Sequence, residues 1–339
     1  MSTLNAFLNP LEFRHSSIIG NPRRSRLDLR HSLLSLISFC LVATGFAKSA
    51  TSTSSAKSAA PAAWSVRQQP LRLVNGAPIL FRVKAPVRLK SLQATWLGHD
   101  LTFAIDSSTG TWFAFAGVPL KTDPGDYPIA LEAESAAGKP LSFQRNLHVY
   151  HAKHASVMIS VPKKYVEPDP TQLEAIKKEE ALKHDIFAKS APERIWSGRF
   201  SPPVNAAVSD KFGTERKFNG TVQSVHQGLD YRVGAGTPVT AVNAGTVILA
   251  QPLFFEGNCV VLDHGQGLLT LYMHLSRIDV KEAHTIARGQ AIGLSGATGR
   301  ATGAHLHLAV RWQGTYLDPA ILLTLPLPEL RDRTDVGSN

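Results

Sequence analysis

The sequence predicts a mainly β protein, made of two β-rich regions joined by a linker that carries one helix. Glycine (25) and proline (21) are frequent among the 339 residues, and both favour turns over long helices. Short runs of apolar residues alternate with turn residues at 67–154 and again at 196–325. We therefore expect an N-terminal immunoglobulin-like β-sandwich at 67–154, a linker with a helix at 155–195, and a C-terminal antiparallel β-sheet domain at 196–325.

The predicted sandwich rests on five strand-like runs separated by turn signals such as DPGDYP at 123–128. The runs are LRLVNGAPILFRVKA, LKSLQATWLGHDLTFAI, GTWFAFAGVPL, DYPIALEAES and PLSFQRNLHVY. Within them, LQATW and YPIALEAE alternate apolar and polar residues with the period of two that half-buried strands show. Several short strands at this spacing are typical of a β-sandwich. No cluster of reactive residues occurs in this region.

The linker begins with the proline-rich and charged run VPKKYVEPDP at 161–170. The following run, TQLEAIKKEEALKHDIFAK at 171–189, places Leu173, Ile176, Leu182 and Ile186 at helical spacing. Thr171 and Glu174 fit a capping box at the start of this helix. We interpret the helix as a strut between the two regions, with a regulatory switch as the alternative.

The N-terminal segment has the order of an export signal. A basic stretch at 22–31 precedes the apolar stretch SLLSLISFCLVATGFA at 32–47, and a Ser/Ala-rich tract follows. We predict a cleaved signal peptide or a retained signal anchor at 1–47, a tether at 48–66 and a tail at 326–339. The remainder of the chain then faces the periplasm, the cell envelope or the medium, with no membrane contact beyond the N-terminal segment.

Charge and cysteine content narrow the classes of partner and of metal site. With two cysteines, Cys40 and Cys259, the chain can form neither a disulfide framework nor a cysteine-based zinc cluster. A bound metal would therefore need histidine and carboxylate ligands. The formal net charge of +10 suits an anionic partner such as the cell wall. No basic block interleaved with aromatic residues is present, so we predict no nucleic-acid partner.

Five residues of the C-terminal region form a pattern that suggests metal chemistry. His226 and Asp230 lie four apart in HQGLD, His274 lies in LYMHL, and the pair His305 and His307 lies in HLHL. Residues two apart on a strand share a face, so both histidines of the pair face one cleft while Leu306 faces the core. Catalytic zinc takes three ligands of these types and leaves a position for water. His226, Asp230 and one histidine of the pair supply them, leaving the other and His274 for proton transfer.

Four segments of this region, taken in order, resemble the lysostaphin/LytM-type zinc metalloendopeptidases, a family that cuts peptide cross-links in bacterial peptidoglycan. They are FGTERKFNGTVQSVHQGLDY (212–231), GTPVTAVNAGTV (236–247), DHGQGLLTLYMHLS (263–276) and RGQAIGLSGATGRATGAHLHLAV (288–310). The resemblance implies a β fold of the duplicated hybrid motif type, Zn2+ as the cofactor and peptidoglycan stem peptides as the substrate. It makes His226, Asp230 and His307 the zinc ligands, and His274 and His305 the catalytic histidines.

Two alternatives to a peptidase remain. One is a non-catalytic cell-wall-binding or hydrolase-activating module of the same family, and the other is a structural zinc site in an adhesion or scaffold protein. All five functional positions are present, which favours the enzyme, and structural zinc sites usually have a fourth protein ligand. For the bond cleaved, we favour the diaminopimelate-type cross-link over pentaglycine bridges, because no wall-targeting domain is evident.

Overall fold

The computed structural model describes residues 63–106, 109–165, 167–218 and 222–329, and most of its regular structure is β-strand. The prediction of a mainly β protein is therefore confirmed. The predicted export signal or anchor at 1–47, the tether up to residue 62 and the last ten residues of the tail lie outside the described residues. Among the helices that are described, none combines the length and the apolar character that a membrane span needs.

The first part of the described chain contains two β-sheets. Its strands are β1 (Ser65–Gln69), β2 (Leu73–Val74), β3 (Pro78–Lys84), β4 (Leu89–Trp96), β5 (His99–Thr102), β6 (Ala104–Asp106), β7 (Thr111–Gly117), β8 (Gly125–Ser135) and β9 (Pro140–Tyr150). Four strands pair in the order β1-β3-β7-β6, and five in the order β2-β9-β8-β4-β5. Each of the five strand-like runs thus contains at least one strand. An immunoglobulin-like arrangement of these strands stays a prediction.

Side-chain alternation explains how these two sheets share a core. In β4, Leu89, Leu92, Ala94 and Trp96 are buried while the residues between them are exposed, as expected for a strand with one face toward the core. The Trp96 ring meets Phe81 of β3 edge-on at 5.7 Å, across the two sheets. Its indole N–H donates to the Gly117 carbonyl at 2.9 Å, so the buried polar atom is satisfied.

The described part of the segment predicted as a linker contains three ordered elements. They are the strand β10 (Ser156–Ile159), a 3-10 turn at Lys163–Tyr165 and the helix α1 (Pro170–Phe187). The expected capping box of Thr171 and Glu174 is wrong. Asp169 is the N-cap, and it exchanges hydrogen bonds with Gln172. The helix starts earlier because Pro170 occupies its first turn, where a missing N–H costs nothing and the fixed φ already suits a helix.

The buried face of α1 also differs from the expected apolar stripe. Ile176, Lys183 and Phe187 are its buried residues, whereas Leu182 is 37% exposed. The Lys183 ammonium lies 2.6 Å from the Glu256 carboxylate, and both side chains are nearly inaccessible to solvent. An ion pair therefore anchors the helix against the segment of the C-terminal region that contains Glu256.

The described residues of the C-terminal region form thirteen strands and one short helix. They are β11 (Val208–Asp210), β12 (Glu215–Phe218), β13 (Val222–Val225), β14 (Leu229–Tyr231), β15 (Pro238–Thr240), β16 (Gly245–Leu253), β17 (Gly257–Asp263), β18 (Leu268–Leu275), β19 (Arg277–Ile278), β20 (Thr285–Ile286), β21 (Ala291–Leu294), β22 (Leu306–Trp312), β23 (Thr315–Leu317) and α2 (Pro319–Leu322).

One large sheet of this region carries the site. Its strand order is β11-β14-β22-β18-β17-β16-β20, and β23 pairs with the C-terminal end of β22. The strands β15, β21 and β19 form a small second sheet, and β10, β12 and β13 form a third. β10 runs parallel to β12, so the linker contributes a strand to the C-terminal region. The antiparallel pairings of the large sheet agree with the predicted antiparallel domain.

Buried residues of the two regions belong to one continuous core. The Trp312 indole of β22 is 1% exposed and meets the Phe115 ring of β7 edge-on at 6.2 Å. The Arg194 guanidinium lies over the rings of Phe113 and Trp196, at 4.8 and 4.5 Å from their centroids. The domain boundaries read from the sequence remain predictions, but the N-terminal sheets clearly pack against the sheet that holds the site.

Candidate metal centre

Strand register brings three of the predicted site residues together. β14 and β22 are antiparallel neighbours, and in their pairing Asp230 lies directly opposite His307. Directly opposed residues in an antiparallel pair have their side chains on the same face, within contact distance. His226 lies just before β14 and adds a third side chain to the same place. The HxxxD spacing and the HLHL strand therefore converge, although 77 residues separate Asp230 from His307.

The three side chains offer a compact set of ligand atoms. His226 Nε2 is 3.0 Å from Asp230 Oδ1 and 3.0 Å from His307 Nδ1, and His307 Nδ1 is 2.7 Å from Asp230 Oδ1. All three residues are buried, with exposures between 2% and 8%. Among the described residues, this is the group of histidines and carboxylates whose ligand atoms lie close enough together to hold a metal ion.

Hydrogen bonding indicates that a cation fits between these atoms. The Nδ1–H of His226 donates to the Lys211 carbonyl at 2.8 Å, so the Nε2 of neutral His226 carries a lone pair. This lone pair faces a carboxylate oxygen and a second imidazole nitrogen. Three electron-rich atoms pointing at one another repel unless a cation or a proton lies between them. Two imidazoles and a carboxylate, with an outer hydrogen bond fixing one tautomer, form the donor set typical of zinc.

The surroundings hold Asp230 ionised and His307 neutral. Burial alone favours the neutral acid, but His307 and His226 outweigh it and hold the pKa of Asp230 well below its usual range. Burial lowers the pKa of His307 to about 4, against the opposing effect of Asp230. A neutral imidazole and an ionised carboxylate are the forms that bind metal. At neutral pH Asp230 and His307 are therefore already in the protonation states that bind metal.

A second layer of charged groups holds Asp230 from the other side. Arg216 Nη2 donates to Asp230 Oδ2 at 2.8 Å, and its Nε donates to Asp210 Oδ2 at 3.1 Å. Asp210 Oδ2 also lies 3.5 Å from His226 Nδ1. Burial disfavours the charge of Asp210, but the bonds from Arg216 prevail and lower its pKa. Asp230 therefore presents one oxygen to the histidines and the other to an arginine.

His274 and His305 lie beside the cluster and have matching tautomers. His274 Nδ1–H donates to the Thr298 carbonyl, and His305 Nδ1–H donates to the Gly303 carbonyl, both at 2.8 Å. In each neutral ring the Nε2 atom is therefore the acceptor. The ring centroids of His274 and His305 are 4.8 Å apart, and the ring centroids of His274 and His307 are 6.0 Å apart. The site therefore has two imidazole bases beside three ligand atoms.

The backbone at His274 is in an unusual conformation. Its φ of +61° lies in the left-handed region, which costs a non-glycine residue on the order of 1 kcal/mol or more. Its backbone N–H donates to the Glu256 carbonyl at 2.8 Å, next to a register shift between β17 and β18. Burial, together with His305 and His307, lowers the pKa of His274 to about 3. Local strain at the end of β18 thus turns a neutral imidazole toward the cluster.

An open cleft of about 310 Å³ leads to these residues. Asp230, His274 and His305 line it, together with the exposed loop at 301–304 and Val161 of the linker. His305 is the most accessible of the five predicted residues, with 17% of its side chain exposed. A molecule from the solvent therefore has access to the side of the cluster where His274 and His305 lie.

All five residues predicted from the sequence are found at this place, and the structure adds others. The sequence gives no signal for Asp210 and Thr298, whereas Gly303 belongs to the glycine-rich stretch that we expect to form a tight turn and groove edge before His305. Arg216 fits either a surface arginine or a residue that shapes the substrate groove. The nearest sequence signal for Arg216 is its position within the FGTERKF segment of the family resemblance. His264 of the DHGQG segment favours a structural hydrogen-bonding role over metal binding by its sequence, and it is fully buried and bonds the Ala244 carbonyl and Thr270 instead of joining the cluster.

Comparisons with known proteins agree with this geometry. Residues 224–319 match the model of Peptidase family M23. The peptidoglycan DD-endopeptidase ShyA of Vibrio cholerae is 48% identical over 82 residues, covering 24% of this chain and 19% of that protein. ShyB of the same organism, also named a peptidoglycan DD-endopeptidase, is 37% identical over 129 residues, covering 37% and 30%. The matches thus span less than a third of these curated relatives.

One solved structure matches over a much larger share of its length. A crystal structure assigned to peptidase M23 from Pseudomonas aeruginosa is 31% identical, with a TM-score of 0.55. The match covers 74% of this chain and 95% of that one, so it reaches beyond residues 196–325. The family inferred from the four sequence segments is therefore confirmed: the chain belongs to peptidase family M23.

Proposed function

We propose that this protein is a zinc-dependent endopeptidase that cleaves peptide cross-links of bacterial peptidoglycan. The observation that carries the proposal is the pair of imidazole Nε2 acceptors, on His274 and His305, beside a His–Asp–His ligand cluster at the end of an open cleft. Relatives that share the family's domain are named peptidoglycan DD-endopeptidases, which supports the same substrate class.

In this proposal His226, Asp230 and His307 hold the metal. Bound there, zinc would polarise a carbonyl oxygen and lower the pKa of water toward about 7. The three ligands carry one negative charge in total, supplied by Asp230. The protein would provide three ligands, the number typical of catalytic rather than structural zinc sites.

His274 and His305 handle protons. Both residues line the cleft and use Nδ1–H to bond a backbone carbonyl, so the Nε2 of either neutral ring is available to accept the proton of the attacking water. The protonated ring then becomes a donor and passes the proton to the amine that leaves when the peptide bond breaks. A protonated imidazole also stabilises the oxyanion that forms at the attacked carbonyl. The backbone carbonyls of Thr298 and Gly303 keep both rings in the required orientation throughout.

The remainder of the organisation follows from the sequence. We place the enzyme in the periplasm or cell envelope, exported through the segment at 1–47. The region at 67–154 serves as an accessory domain, 155–195 as the connection and 196–325 as the zinc peptidase domain. The diaminopimelate-type cross-link between stem peptides is the bond we assign to it.

The proposal is tested with purified zinc-loaded protein and isolated peptidoglycan of several wall types, with mass analysis of the soluble fragments. We expect fragments cut within the peptide cross-links, no release in the presence of a chelator, and no release by His305→Ala. His284→Ala is the matched control, because His284 is an exposed histidine in a polar turn. Zinc-loaded protein that leaves every wall type intact would refute the enzyme and support the non-catalytic hydrolase-activating module.

A further inference from the structure

We propose that Arg216 is a positioning residue for the carboxylate ligand Asp230, and that Asp210 in turn positions Arg216. The inference rests on the proposed metal site and extends it to residues outside the matched family region at 224–319. It concerns how the chain presents one ligand oxygen, and not the identity of the ligands.

The two carboxylate oxygens of Asp230 have different partners. Oδ1 lies 3.0 Å from His226 Nε2 and 2.7 Å from His307 Nδ1, so it belongs to the ligand cluster. Oδ2 accepts a hydrogen bond from Arg216 Nη2 at 2.8 Å. A charge-assisted bond of this length fixes the rotation of the carboxylate about its last torsion. The carboxylate is therefore arranged to offer one oxygen to the metal and to withhold the other.

Arg216 is itself held in place by hydrogen bonds to Asp210. Its Nε and Nη2 atoms both donate to Asp210 Oδ2, which gives the guanidinium a fixed plane. β11 pairs with β14 so that Asp210 lies opposite Asp230, and β12 delivers Arg216 between the two carboxylates. The exposed fractions of the three side chains are 22%, 18% and 9% for Asp210, Arg216 and Asp230. Partial burial strengthens these ion pairs relative to fully exposed ones.

The contacts of Arg216 favour positioning of Asp230 over binding of substrate. The Nη2 atom of Arg216 donates to Asp230 and also to Asp210, so it already bonds two carboxylates of the protein. Arg232 provides a contrast in the same cleft: it is exposed, and no carboxylate of the described residues lies within salt-bridge distance of it. Arg216 thus acts on the metal through Asp230, and loss of an outer partner of this kind typically weakens metal binding by 10- to 100-fold.

The test measures zinc affinity by competition with a chromophoric chelator, together with the visible absorption of the cobalt(II)-substituted protein. Arg216→Met should weaken zinc binding by about 10- to 100-fold and change the cobalt spectrum, because the carboxylate is then able to rotate and present both oxygens. Arg216→Lys should recover part of the affinity, since an ammonium reaches one carboxylate but lacks the planar fork. Asp210→Asn should show a smaller loss than Arg216→Met.

Lys217→Met is the matched control, because Lys217 is the next residue on the same strand and is exposed. It should bind zinc as the unchanged protein does. Equal zinc affinity in Arg216→Met and the unchanged protein would overturn the inference. So would an equal loss in Lys217→Met, or an unaltered cobalt spectrum with lost activity, which would place Arg216 on the substrate instead.

Folding and function are separated by two further comparisons. Thermal unfolding of the metal-free proteins shows whether Arg216→Met folds. If it does not, Arg216→Lys and Asp210→Asn carry the test, and unchanged affinity in both overturns the inference. Failure of the unchanged protein to bind zinc would instead refute the proposed function.

Discussion

Replacing Gly228 by alanine should displace the proposed metal ligand His307. Gly228 is the glycine of the HQGLD segment, and it packs against the His307 ring. A Cβ at this position would lie 2.4 Å from His307 Nε2, 2.5 Å from its Cε1 and 2.6 Å from the Leu308 carbonyl oxygen. Ordinary contacts need about 3.5 Å, so these atoms must retreat by about 1 Å. The Leu308 oxygen is a backbone atom held in β22. The imidazole of His307 is therefore the group that moves.

The size of the effect follows from the tolerance of metal sites. Ligand distances in such sites are held to within about 0.2 Å, and a ring displaced by about 1 Å falls well outside that range. We expect zinc affinity to drop at least about 100-fold, which corresponds to about 2.8 kcal/mol. Overpacking should also lower the free energy of unfolding of the metal-free protein by about 1 to 3 kcal/mol.

The assay is chelator competition for zinc, with urea unfolding of the metal-free protein beside it. Gly303→Ala is the matched control, because a Cβ there meets no atom within 4 Å although Gly303 lies in the loop before His305. It should bind zinc like the unchanged protein. If Gly228→Ala bound zinc within about threefold of the unchanged protein, the close packing of His307 would not be what positions this ligand, and our reasoning would be refuted.

Two further predictions concern the other histidines. His274→Ala and His305→Ala should each lower turnover by about 10² to 10⁴ while zinc content stays unchanged, whereas His284→Ala should alter neither; zinc loss in the first two would show that they are ligands. Burial lowers the pKa of His264 from 6.5 to about 4, so the unfolded chain takes up the proton first as the pH falls. The free energy of unfolding should therefore lose about 3 kcal/mol from this group between pH 7.5 and 4. In His264→Gln, measured without metal by urea unfolding, this part of the pH dependence should be absent, and an identical dependence would contradict the assignment.

The five central residues were predictable because their signals are local. Leu306 is completely buried between His305 and His307, as strand alternation requires, so the HLHL run alone places two imidazoles on one side. The four-residue spacing of His226 and Asp230 is equally short in range. What local spacing could not decide is which histidine of the pair is the ligand, and the family resemblance supplied that assignment.

The contacts of Arg216 with Asp210 and Asp230 could not be predicted, because they depend on long-range strand pairing. Asp210 meets Asp230 only through the register of β11 against β14, and strand alternation fixes a face without fixing a partner. Arg216 in an isolated sequence looks like any other surface arginine. Likewise, the contact of Gly228 with the His307 ring depends on how closely two distant segments approach each other.

The linker helix shows the same limit. Apolar spacing predicted that Leu182 would face the core, yet Leu182 is 37% exposed and its neighbour Lys183 is buried. The reason is Glu256, 73 residues further along the chain, whose buried carboxylate pairs with the Lys183 ammonium. A buried charge of this kind is tolerated only when a partner compensates it, and that partner lies outside the sequence of the helix.

The most direct test of the central claim compares the unchanged protein with His307→Ala in one experiment that measures zinc content and peptidoglycan cleavage together. Our account expects the unchanged protein to retain zinc and to release fragments cut in the peptide cross-links. His307→Ala should lose both the metal and the cleavage. Cleavage by His307→Ala at the rate of the unchanged protein, or zinc binding by the unchanged protein without any cleavage, would contradict it.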